Sequence, residues 1–225
     1  MQRHLLFFFT SIFLFPGAHA QDNYRAVHWG IQDGLSQACV LHMRKDVNGF
    51  LWMGTQGELS RFDGSVFKNY YHDPKKSGTI NAKYTALGLV EDSLHNIWIG
   101  TNNGLYRYDM KADTFTRFIQ AAPFGATRNE LFCAEFTGPI ITYNIHTFTK
   151  RTIATITPAD SVGSGLLIFS SFVDERSNSL WMLRSLRDNT GWHGSGLLQI
   201  SLTTGEKKYY NWNCFKNIPG HDHSA

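Results

Sequence analysis

One stretch of about twenty-five residues occurs twice, and that repetition restricts what the chain can fold into more than any other feature. Val40 opens VLHMRKDVNGFLWMGTQGELSRFDG, and 46 residues later Ala86 opens ALGLVEDSLHNIWIGTNNGLYRYDM. In this register Asp46 meets Asp92, Trp52 meets Trp98, Gly54 and Thr55 meet Gly100 and Thr101, and Asp63 meets Asp109. A partial copy from Phe172, FVDERSNSLWML, sets Trp181 on Trp98. A weaker unit lies between, where GPIITYNIHTFTKR from Gly138 echoes GLYRYDMKADTFTRF without the tryptophan and with Phe148 in the place of Phe115. Periods of 40–50 residues belong to repeat architectures, in which one supersecondary unit stacks on the next.

Each unit reads as four short strands. In the first they fall at about 38–44, 50–54, 58–62 and 66–70, parted by Asp-Val-Asn-Gly, Thr-Gln-Gly and Asp-Gly-Ser. Those are turn sequences, because Gly and Asn accept positive φ at little steric cost. An antiparallel four-stranded unit repeating at this period is a β-propeller blade. The fold class is therefore all-β: a propeller with about four blades present and its ring incomplete, preceded by a signal peptide. The blades are expected at about 38–80, 81–122, 123–160 and 161–212, with a further one starting over 213–225, and residues 21–37 lead into the first. A blade sandwiched between two others must fill both faces, which the large indoles suit. Gly54 and Gly100 would leave room for a neighbouring backbone. Asp46, Asp92, Asp63 and Asp109 recur with the repeat, which points to turn-capping Asx bonds rather than catalysis.

The first twenty residues carry a different signal. A basic start, Met1 to His4, precedes an apolar run from Leu5 to Phe15, then Pro16-Gly17 and Ala18-His19-Ala20. This is the order of a secretory signal, with cleavage expected between Ala20 and Gln21. Eleven helical residues rise only about 16 Å, half of a bilayer core, so export rather than a permanent span is expected. Cys39, Cys133 and Cys214 are too few and too scattered for a disulfide scaffold, and buried free thiols are the expectation. A formal charge of +3 gives no footprint for nucleic acid.

The repeat resembles the two-component regulator propeller repeat. That pattern runs Asp-x-x-Gly-x-x-Trp-x-Gly-Thr, two variable residues, Gly-Leu, and an aromatic-Asp turn. Asp46, Gly49, Trp52, Gly54, Thr55, Leu59, Phe62 and Asp63 match it, as do Asp92, Trp98, Gly100, Thr101, Gly104, Leu105, Tyr108 and Asp109. Glu58 and Asn96 depart from it, the latter read as replacing the turn glycine of the second copy. Asp33 to Val40, DGLSQACV, resembles the start of the first blade in such proteins. The resemblance implies the front of a large bacterial sensor: propellers outside the inner membrane, a membrane anchor, a cytoplasmic histidine kinase, oligosaccharide ligands and a homodimeric full-length form. It also implies that the segment from Tyr24 to Trp29 supplies the outer strand of the last blade.

No enzyme motif is found: H-E-x-x-H, G-x-S-x-G and the phosphate loop are all absent. No cofactor or metal ligand set is expected, the His221-Asp222-His223 triplet being a solvated loop. The insertion from Arg184 to Gly194 is the binding candidate, with Arg187 and Asn189 offering hydrogen bonds and Trp192 a stacking surface for a sugar ring. The pairs Lys75-Lys76 and Lys207-Lys208 read as solvated surface. Two alternatives stand beside the sensory reading: a secreted carbohydrate-active propeller enzyme of polysaccharide-lyase type, and a non-catalytic adhesion module.

Overall fold

The computed structural model describes residues 26–81, 87–135, 138–157, 160, 171–188 and 191–211, and for 185–188 and 191–195 it describes the backbone. The leader and its cleavage point, Tyr24, Cys214 and everything after residue 211 lie outside these. No helix among the described residues is long and apolar enough to cross a membrane.

Among the described residues, sixteen strands form four antiparallel sheets. The first holds β1 (Val40–Lys45), β2 (Leu51–Thr55), β3 (Leu59–Phe62) and β4 (Phe67–Tyr70) in chain order. The second holds β5 (Leu89–Glu91), β6 (Ile97–Thr101), β7 (Gly104–Asp109) and β8 (Thr114–Arg117). The third holds β9 (Ala121–Ala126), β10 (Glu130–Glu135), β11 (Pro139–Asn144) and β12 (Lys150–Thr155). The fourth holds β13 (Ser171–Asp174), β14 (Ser179–Asp188), β15 (Gly191–Ser201) and β16 (Lys207–Asn211). Each is a simple meander. The first strands lie against one another, β1 on β5, β5 on β9 and β9 on β13, so they surround the axis and β4, β8, β12 and β16 lie outermost. This is propeller architecture.

The recurrent Trp and Asp act together. Trp52 is fully buried and donates its indole N–H to Asp46 Oδ2 at 2.8 Å, and Trp98 donates to Asp92 Oδ2 at 2.7 Å. The second oxygen of each carboxylate caps the turn: Asp46 Oδ1 accepts from Phe50 N–H, and Asp92 Oδ1 from Leu94 and Asn96 N–H. The expected Asx bonds are present, and the indole bond joins them. Thr55 and Thr101 close the next turn, their hydroxyls donating to the Glu58 and Gly104 carbonyls. Asp63 and Asp109 each accept two backbone N–H groups across the third turn.

Strand alternation gives each sheet two apolar faces. Trp52 of the first sheet packs with Ile97, Ile99 and Tyr106 of the second. Trp98 of the second packs with Leu131, Cys133 and Ile141 of the third. In the third the role passes to Phe132, which packs with Leu180, Met182 and Leu198 of the fourth. Phe132 pairs with Thr142 as Trp98 pairs with Arg107, so a phenyl ring fills the tryptophan position of the weak repeat. The large ring on the second strand thus always points to the following blade. Gly100 sits in the tight part of such a junction, where a Cβ would fall 2.6 Å from Leu87 O and 2.8 Å from Pro123 Cδ of the next sheet.

Polar pairs lock the outer rims. Tyr70 and Tyr108 hydroxyls meet at 3.0 Å, and Asp113 accepts from Tyr108 at 2.7 Å and from Lys68 at 2.5 Å. Burial first of all holds both phenols above the ordinary tyrosine value, reinforced at Tyr70 by the bond to Tyr108 and at Tyr108 by Asp113, which outweigh the opposing pull of Tyr70 on Tyr108. Between the third and fourth sheets Asp160 is 1% exposed and receives Lys207 Nζ, Tyr209 O–H and Thr157 N–H, each at 2.7 Å. Burial opposes its ionisation, yet these donors, Lys207 foremost, bring it down to about 2. Lys207 is therefore a partly buried ion-pair partner of a buried carboxylate and not solvated surface, whereas Lys76 remains exposed beside Asp73.

Two alignments need correction. The turn glycine Gly49, at φ 89°, is matched in the second blade by His95 at φ 63° and in the fourth by Asn178 at φ 48°, so Asn96 is not its substitute. Phe148, at φ 55°, takes the turn position of Asp113 at φ 54°, and Lys150 occupies the strand position of Phe115. The shared letters Thr-Phe-Thr conceal a two-residue displacement. Phe148 holds this strained conformation by packing on Phe118, ring centroids 5.6 Å apart, with the Arg107 guanidinium over its face. Cys133 is buried and free, Cys39 partly buried and free. Ala26 to Gly30 are irregular, and Trp29 covers the outer face of the first sheet against Phe62 and Phe67.

Two measurements check these bonds. Asp92→Ala strands the Trp98 indole N–H and two turn amides, and should cost about 2–3 kcal/mol in denaturant unfolding. Asp160 has a folded pKa below its unfolded one, so its stabilisation is present above pH ~4 and lost as pH falls towards about 2. That loss amounts to about 2 kcal/mol, and Lys207→Met should remove a good part of it and flatten stability against pH across this window.

Candidate functional site

The turns between first and second strands all emerge at one end of the axis. They meet around a shallow open cavity of about 410 Å³ lined by Arg44 and Val47, by Glu91, Asp92, Ser93 and His95, by Ala126, Thr127 and Arg128, and by Glu175. Each blade contributes one group, so this mouth exists only once the four sheets are assembled.

Bonds between blades fix its rim. Val47 N–H donates to Glu91 Oε1 at 3.1 Å, tying the first turn to the second. His95 Nδ1 lies 3.2 Å from the same oxygen. Ser93 donates its hydroxyl to the Arg128 carbonyl at 2.5 Å, tying the second turn to the third. Asp92, at the floor, is committed to Trp98 and its own turn. Glu91 is nearly buried and Glu175 is exposed. Glu175 occupies the Asp92 position of the fourth copy. The residue six before Trp181 is thus no buried indole acceptor, and Asp174 caps that turn through Arg176 N–H and the Ser177 hydroxyl.

Arg44 and Arg128 are exposed, and no carboxylate pairs with either among the described residues. The site can therefore offer guanidinium donors, an imidazole and a free carboxylate to one polar solute, with Val47 as a small apolar surface at 60% exposure. The sequence reading missed it because the contributing residues come from separate repeats. The one local signal was His95, a side chain where the repeat asks for glycine.

The insertion chosen from sequence lies elsewhere. It extends β14 and β15 into a long two-stranded arm, with Arg187 paired across to Trp192 in register. Asn189 and the side chains of Arg187 and Trp192 lie outside the described residues. The structural residues Trp52, Trp98, Gly100, Thr55 and Thr101 sit within the blades as described above. Trp181 keeps their register but is only half-buried, its ring tilted against Tyr210 with centroids 5.3 Å apart, beside Phe172, which is 63% exposed.

The four sheets around one axis, with their turns meeting at one mouth, define a β-propeller segment. The structure matches the extracellular domain of a hybrid two-component system from B. thetaiotaomicron, with a TM-score of 0.60 and 20% identity over 82% of this chain and 26% of that one. It also matches the extracellular domain of a one-component system from the same organism, with a TM-score of 0.57 and 18% identity over 76% of this chain and 25% of that one. In sequence, 49 residues are 45% identical to Histidine kinase P4 of Formosa agariphila, covering 22% of this chain and 4% of that protein. No family model matches. The chain thus spans only a small part of the proteins it resembles.

Glu91→Ala should free the first turn at the axis. The Val47 amide is then expected to exchange with solvent about tenfold faster or more, measured by hydrogen exchange, with amides of β10 unchanged.

Proposed function

We propose that this chain is a ligand-sensing propeller segment of an exported two-component sensor, working outside the inner membrane and passing its state to a histidine kinase. The observation that carries this reading is the 49-residue stretch shared with a histidine kinase, on a fold shared with extracellular sensor domains. The open face of the fourth sheet supports it. At three successive junctions the large ring of the second strand is covered by the following blade, and Trp181, Phe172 and Tyr210 form the same surface without a cover among the described residues. Further blades in the full-length sensor would bury it. The ligand is an oligosaccharide or similar hydroxyl-rich solute, and its effect is a shift between two domain arrangements that it binds unequally. The full-length protein acts as a homodimer.

Reading the coding frame past Ala225 tests this. Further Trp-x-Gly-Thr units, a membrane helix and a histidine-kinase module are expected. A stop codon immediately after Ala225 would overturn the sensor and favour a secreted enzyme or adhesion module. Trp181→Ala adds a physical test. It should cost about 3 kcal/mol in the longer protein, where the ring is covered, and under about 1 kcal/mol in the 225-residue chain.

A further inference from the structure

The axial mouth carries a charge arrangement that its structural bonds do not use. Arg44 comes from the end of β1 and Arg128 from the turn after β9, and both exposed residues line the same cavity without a carboxylate partner among the described residues. Arginine presents a planar fork of donors matched to carboxylate and sulfate oxygens, and paired charges of this kind give the stronger hydrogen bonds. The nearest acids are differently disposed. Asp92 is spent on Trp98, and Glu91 on the Val47 amide and His95. Among the described residues that line the mouth, Glu175 is the carboxylate with no side-chain bond, and an exposed carboxylate of this kind accepts from hydroxyl groups.

His95 is the second observation. Its position in the turn is held by glycine in the first blade, and it adopts φ 63°, a conformation that costs an L-residue energy. Glu91 fixes its Nδ1, and its Nε2 has no protein partner among the described residues. A strained side chain placed at a cavity rim where a relaxed glycine would serve the fold is a feature of binding sites. Hydrogen bonds from Val47 and Ser93 hold this rim in place before any ligand arrives, which reduces the ordering cost of binding.

We infer that the axial mouth is a binding site for an acidic sugar, whose carboxylate or sulfate is held by Arg44 and Arg128 while Glu175 and His95 take hydroxyl groups. This rests on the sensory reading and narrows its ligand to one bearing negative charge. No covalent step is involved.

The test is titration calorimetry of the full chain with D-glucuronate, D-glucose and inorganic sulfate. Glucuronate should bind about tenfold or more tightly than either other probe. Arg44→Ala and Arg128→Ala should each weaken it by about tenfold, and added salt should weaken it further, because exposed charges are screened. His95→Gly separates binding from folding: it should weaken glucuronate several-fold while leaving the melting temperature unchanged or higher, since it restores the repeat's glycine. Equal affinity for glucose and glucuronate, or indifference to both arginine variants, would overturn the anionic site and leave sugar sensing standing. Sulfate binding as tightly as glucuronate would overturn the sugar. Absence of binding by all three probes would overturn the site, while the coding frame beyond Ala225 decides the sensory reading separately.

Discussion

The hydrogen bond from a buried indole to a buried aspartate holds each of the two well-formed repeats together. Trp52 and Trp98 present a large ring to the following sheet, and such burial is the main source of stability in stacked blades. An indole N–H taken out of water without a partner would offset part of that gain. Asp46 and Asp92 remove the penalty and, through the second oxygen, also hold the turn that leads into the tryptophan strand. One carboxylate thus couples blade packing to the turn at the axial mouth. The geometry of the mouth is a consequence of how the blades are held together.

The less regular copies show what happens when this device is absent. In the third sheet Phe132 fills the same position with a ring that has no polar atom to satisfy, so no aspartate is required. In the fourth, Trp181 returns without an aspartate six residues earlier, and its half-buried ring lies tilted against Tyr210. The junction before it is strengthened at the rim instead, where Lys207, Tyr209 and Thr157 converge on Asp160. Freed from the indole, Glu175 is exposed at the axial mouth. A substitution that weakens the structural motif therefore supplies a polar group to the cavity, as His95 does in the second blade at the cost of backbone strain.

Much of the fold was legible in the chain because a blade is specified locally. Alternating apolar residues, turn glycines and the recurrent tryptophan all act within about thirty residues. The first blade's strands lie within two residues of the positions that the turn sequences indicate. The errors fell where local letters and three-dimensional position part company. Asn96 stands one residue beyond the turn position that His95 occupies, and Phe148 stands two residues from the strand position that its neighbours suggest. Lys207 looked like surface because its partner, Asp160, lies 47 residues away.

The amino-acid sequence alone determined the repeating unit, its four strands, its turns and the residues that fill it, since propensity and alternation operate over short distances. Only the tertiary structure decided that each large ring faces the following blade, that Asp46 and Asp92 serve the indoles, and that Arg44, His95, Arg128 and Glu175 share one cavity. These four residues come from four sheets, and no local pattern links them. Stacking the first strands around one axis brings their turns together, and that convergence is a property of the assembled ring segment.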